Sequence, residues 1–204
     1  MPNSLTTNAG AAGDLLNAQM HAVHTISVPR GIRDSQLRAD AFLATSSRRV
    51  SALEAVLVDA VRRHLGPARA DELRQACHAL QLAMRTMHTR LYGSSQSMRM
   101  PWSDIWADVE RHLETLLRLE QELAADLADL VPEHDLDAIS GRLIATQLRA
   151  PTRPHPHLPR RGLRGRLARR LASRADAFWD GVQGRAVPPM TSLSPATDTG
   201  TGSV

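Results

Sequence analysis

Residues 105–127 read IWADVERHLETLLRLEQELAADL, and the spacing of their apolar positions decides the fold class. Ile105, Val109, Leu113, Leu116, Leu123, Leu127 and, just beyond, Leu130 recur at steps of three and four residues, with Glu120 in the same register. Only a helix turning once per 3.6 residues brings such positions onto one face. A second seam lies upstream, between Pro67 and Tyr92–Gly93, where Leu73, Cys77, Leu80, Met84, Met87 and Leu91 alternate steps of four and three. A third runs Val50, Glu54, Leu57 and Val61, with Leu53 beside it, in a segment that Asp34 or Ser35 can cap and that ends near Gly66–Pro67. Residues 14–24 form a shorter stripe of Leu16, Met20 and Val23. Ser103 is the expected cap of the fourth helix, with Trp102 and Trp106 at its start, and Pro132 its stop. The spacing predicts an all-α chain, an antiparallel four-helix bundle starting near residues 14, 34, 68 and 103, with additional C-terminal helices, the first at about 136–148.

Composition agrees with that reading. Apolar residues make up 42%, enough for a buried core, while aromatics are only 3%, too few for a typical β-sandwich or barrel. The chain divides into a small, polar lead-in (1–13) expected to be disordered, the helical bundle (14–150), a linker stiffened by Pro151, Pro154, Pro156 and Pro159 (151–161), a basic amphipathic helix (162–186) and a disordered tail (187–204). No apolar run is long enough for a transmembrane helix, and the N-terminus has neither the basic nor the apolar region of a secretory signal. A single cysteine, Cys77, rules out an internal disulfide framework. The expected address is cytoplasmic. No catalytic constellation is legible.

Charge is unevenly placed. Residues 1–150 hold 16 Arg against 18 acids, residues 151–204 hold nine Arg against three Asp, and the whole chain carries a net +4. All 25 basic residues are Arg. Eight of them fall between 153 and 174 without an acid, around a stripe of Leu163, Leu167 and Leu171. Two readings follow: contact with a polyanion or an anionic membrane surface, or docking of the stripe, with Phe178 and Trp179, onto the acidic flank of the bundle. No aromatic platform interleaves the arginines, so sequence-specific nucleic-acid binding is not expected.

Two carboxylates stand where the seams should be apolar, Glu54 and Glu120. An ionised carboxylate buried alone is very costly, so each must be paired, protonated or bound to metal. Inward carboxylates on facing helices are how bundles build iron or manganese sites. The alternative is that each lies at the edge of its seam and reaches water, or pairs with Arg49 or Arg118. His21 and His24, three apart in the first helix, are the nearest candidate nitrogen ligands, and His78 flanks the third seam. His64, His88, His112 and His134 lack a partner at metal-ligand spacing, and His155 and His157 sit in the Pro-rich linker.

Several stretches together resemble the hemerythrin-like, HHE-type cation-binding proteins, in particular an actinobacterial branch. They are LEAVLVDAVRRHL around Glu54, RLYG at 90–93, PWSDIWADV from Pro101, LRLEQEL around Glu120, and a tail with APTRPHPHLP, GLRGRLARR and FWDGVQGR. The resemblance covers about residues 14–188. It implies a four-helix bundle holding non-haem iron through His and carboxylate ligands, and a chemistry of oxygen, peroxide or nitric oxide. The family pattern places a His about one turn before each carboxylate. Here Val50 stands four before Glu54, Leu116 stands four before Glu120, and the third helix offers Cys77 and Gln81. Carried over residue by residue, the metal candidates are Glu54, Glu120, His24 and His21, with His78 behind them. That is a depleted site in place of a full di-iron centre. The second reading is a metal-free interaction or structural module derived from the same fold, acting through its surface and basic tail.

Overall fold

In the computed structural model, residues 3–24, 32–92 and 100–150 are described, and among them the chain is all-α. The elements are α1 (Ser4–His24), α2 (Ile32–Ala52), a π-helical segment (Leu53–Leu57), α3 (Val58–His64), α4 (Pro67–Tyr92), α5 (Trp102–Ala128) and α6 (Glu133–Leu148). The linker, basic helix and tail expected over 151–204 lie outside the described residues.

The first helix begins ten residues before the expected Asp14. The lead-in expected to be disordered is helical from Ser4, because Asn3 caps it. Its Oδ1 accepts hydrogen bonds from the backbone N–H groups of Leu5 (3.0 Å) and Thr6 (2.9 Å). Leu5 and Ala9 are buried one turn apart and extend the stripe of Leu16 and Met20. Ser140 Oγ of α6 donates to Ser4 O (3.3 Å), so the helix start is also held from outside. Small polar residues are weak local helix signals, and packing overrides them here.

The expected second helix is a rod interrupted by the π-helical segment. A π turn takes in more residues than an α turn and rotates everything that follows. Leu53 and Leu57 are buried, as are Val50 and Val61, whereas Glu54 as a whole is half-buried, with its carboxylate Oε1 out of reach of water. The rod stops at Gly66, whose φ of +94° lies in the left-handed region and whose N–H donates to Val61 O (3.1 Å). Pro67 then opens α4 at its first position, where a missing N–H costs nothing.

Leu73, Cys77, Leu80, Met84 and Met87 of α4 are buried, and Leu91 packs against the same core from a half-buried position. In α5 the positions 105, 109, 113, 116, 120, 123 and 127 are all buried. Ser103 is not the cap: α5 starts at Trp102 after Pro101, and the Ser103 hydroxyl donates to Asp104 Oδ1 (3.2 Å). α5 ends at Ala128, so Leu130, beyond its end, is 60% exposed.

One continuous apolar core draws on all of these elements. α4 packs most extensively on α5, α1 packs on α2 and α5, and α6 covers α1, α2 and the π-helical segment. Arg69 Nη2 reaches Asp126 (3.1 Å), joining the first turn of α4 to the last of α5. Tyr92 Oη donates to Asp40 Oδ2 (2.6 Å), joining the end of α4 to the first half of α2. Phe42, Trp106 and Trp102 pack in series, the first pair tilted and the second edge-to-face, with centroids 6.3 and 5.7 Å apart, and tie α2 to the start of α5. No helix among the described residues is long and apolar enough to cross a membrane.

Two glycine substitutions should move stability in opposite directions. A Cβ at either Gly66 or Gly141 meets nothing within 4 Å, so only backbone preference differs. Gly66→Ala forces a left-handed conformation on an L-residue and should cost about 1–2 kcal/mol. Gly141→Ala, inside α6, should gain about 0.5–1 kcal/mol. Urea melts of the two variants check both signs.

Candidate functional site

Among the described residues, a buried ion pair enters the core midway along α5. Glu120 is 2% exposed, held inward by the periodicity that buries Leu116 and Leu123 on either side. Arg49, near the end of α2, is 1% exposed and beside the equally buried Val50. Its Nη2 donates to Glu120 Oε1 in a buried ion pair, and its Nε lies 3.4 Å from Glu120 Oε2. Its Nη1 donates to Asn8 Oδ1 of α1 (2.8 Å) and to Gln147 Oε1 of α6 (3.2 Å). One guanidinium therefore bonds side chains from three other helices. Its planar fork of donors suits this, since a lysine ammonium could not offer both faces of a carboxylate and two amides at once.

The electrostatics follow from burial. Loss of water pushes the Glu120 carboxyl above its usual range, and the charge and hydrogen bonds of Arg49 pull it partly back down. The surroundings add little solvation. Thr45, Ser46 and Ser47 are buried one turn before Arg49, yet Thr45 Oγ1 donates to its own helix at Ala41 O (2.9 Å). The Ser46 and Ser47 hydroxyls have no hydrogen-bond partner among the described residues.

Glu54 sits half-buried on the π-helical segment and is not free of partners. His21 is exposed and His78 is half-buried, and neither is without a partner. His24 closes α1. Cys77 is fully buried in the α4 seam, and one turn on, Gln81 is 5% exposed with its Oε1 lacking a hydrogen-bond partner among the described residues. Among the described residues no group of three or more His, Cys, Asp or Glu side chains could hold a metal ion. Arg118, the other partner considered for Glu120, pairs on the surface with Glu122 (2.6 Å).

Two members of the Arg49 network have no signature in the sequence. Asn8 falls in the segment expected to be disordered, and Gln147 sits near the end of a short helix with no sustained seam. The available signal was Arg49 itself, adjacent to the apolar Val50 in the register of a buried face.

The chain matches no family model, no curated protein and no solved structure.

Removing one partner of a buried pair strands the other charge. Arg49→Met should therefore cost about 3–5 kcal/mol near neutral pH, and Arg49→Met/Glu120→Leu should recover most of that loss. The single variant leaves the carboxyl with burial alone, so its folded pKa rises further above the unfolded value. The folded state then binds the proton more tightly, and stability falls as pH rises through that folded pKa. Denaturant melts of Arg49→Met at mildly acidic and at neutral pH should show the smaller loss in acid. Equal losses at both would contradict this account of Glu120.

Proposed function

We propose that the chain is an antiparallel four-helix bundle of the hemerythrin-like type in which the Arg49 guanidinium stands in for the interior cation. In this reading it works as a metal-free binding or structural module at a cytoplasmic address. The observation that carries the proposal is the Arg49–Glu120 pair. Both oxygens of Glu120, the candidate ligand nearest the centre of the core, already face a fixed positive charge. A divalent ion placed there would meet repulsion from the guanidinium and hydrocarbon from Val50 and Leu116, so the residues present do not fit an iron centre. Helix pairing supports the bundle arrangement. Arg69–Asp126 and Tyr92–Asp40 each join the start of one helix to the end of its neighbour, or the reverse.

The competing reading keeps a depleted non-haem iron site on Glu54, Glu120, His24, His21 and His78. It requires Glu120 to leave Arg49.

Metal analysis of protein purified from iron-supplemented cells separates the two. The expected result is no stoichiometric iron. A full complement of iron with an oxo-bridge absorption band would overturn the proposal. A companion variant, Arg49→Ala with Val50→His, Cys77→His, Gln81→Glu and Leu116→His, restores donors and removes the competing cation. Iron uptake by that variant alone is expected if the bundle descends from a metal-binding one.

A further inference from the structure

A cleft of about 720 Å³ opens between the π-helical segment with α3 on one side and the C-terminal half of α6 on the other. Its floor is built from small side chains, Ala55 and Ala145 among them, which leave the two helices room to part. Its charge is lopsided. Arg62, Arg63, Arg142 and Arg149 line it, against a single carboxylate, Asp59. The volume falls within the range of about 300–1,000 Å³ usual for small-molecule sites.

The arginines hold donors in reserve. Arg63 Nε donates to Asp59 O (3.2 Å) and Arg142 Nε to Ala138 O (3.3 Å), each four residues back on its own helix. Those bonds fix the side-chain stems and leave the terminal amino groups of both uncommitted among the described residues. Arg62 Nη2 comes only within 3.9 Å of the exposed Asp71, and its Nε is buried with no hydrogen-bond partner among the described residues. Arg149 follows directly after α6 and is exposed. Four like charges around a concavity repel one another and focus a positive potential into it, and both effects favour an anion. Guanidinium forks match phosphate oxygens bidentately. Among the described residues no aromatic side chain lines the cleft, so they offer no platform for stacking a base.

We infer that this cleft is a binding site for a small ligand carrying a phosphate chain, recognised through its phosphates and not through any attached base. A chain of linked phosphates concentrates several negative charges within a volume of this size, as a lone carboxylate does not. The inference is independent of the proposed function, because Asn8, Arg49, Glu120 and Gln147 are absent from the lining.

Calorimetric titration of the full chain with inorganic tripolyphosphate at low salt tests the site. Saturable binding at one site per chain is expected. Arg142→Ala/Arg149→Ala, both exposed positions, should keep the helical circular dichroism and melting temperature while weakening affinity by about tenfold or more. Arg63→Ala should weaken it too, and Arg111→Ala/Arg118→Ala, on the exposed face of α5, should not. Adenosine triphosphate should bind with similar affinity and the same dependence on Arg142 and Arg149, and adenosine should not bind. The inference is overturned by absence of saturable binding, or by binding that survives Arg142→Ala/Arg149→Ala and is lost in Arg160→Ala/Arg161→Ala. Tighter, equally variant-sensitive binding of a short DNA duplex would replace the small ligand with a polyanion and overturn it as well.

Discussion

A guanidinium and a carboxylate buried together between α2 and α5 constrain the rest of this structure. Neither charge can be taken from water alone, and each is tolerable only beside the other. Arg49 has donors left over after meeting Glu120, and they must also be satisfied, which draws in Asn8 from α1 and Gln147 from α6. Hydrocarbon side chains slide past one another at little cost, but this set of bonds closes in one register only. A shift of α1 or α6 by a single residue would remove an acceptor from a buried donor. The effect of the pair is thus geometric: it selects one alignment of four helices that their leucine and methionine seams alone would leave loosely specified.

The same pair bears on chemistry. A fixed organic cation supplies the countercharge that an inward carboxylate needs, and it does so without open coordination positions. A metal ion in such a core would keep sites for exchangeable ligands, whereas a guanidinium spends its donors on protein oxygens. The hydrocarbon at Val50 and Leu116 completes the contrast, because both positions are buried in the core where nitrogen donors would otherwise face inward.

The π-helical segment links interior and surface. By widening one turn it lets Leu53 and Leu57 enter the core and leaves Glu54 half-buried. Its other face, with Ala55 and Val56, borders the arginine-lined cleft against α6. One local departure from α-helical winding therefore carries the second carboxylate and forms a wall of the basic concavity. Among the described residues, a neutralised pair thus lies inside and four arginines against one carboxylate line the cleft outside.

The amino-acid sequence by itself determined that the chain is helical, where α4 and α5 lie, and which of their residues are buried, because a sustained step of three and four residues has only one regular solution. It also marked Glu120 as a group in need of a partner, and placed Arg49 among the few that could serve. It could not show that α1 starts at Ser4, since residues 4–13 are helical through the Asn3 cap and the burial of Leu5 and Ala9, and small polar residues carry little periodic signal. Nor could it separate Glu54 from Glu120, which occupy equivalent places in their seams, although the first is half-buried on a π-helical segment and the second fully buried. Asn8 and Gln147 lie far from Arg49 along the chain, and the cleft arginines come from two segments about 80 residues apart. Only the tertiary structure decided these matters, because long-range hydrogen bonds and concavities depend on which helices become neighbours, and local spacing carries no record of that.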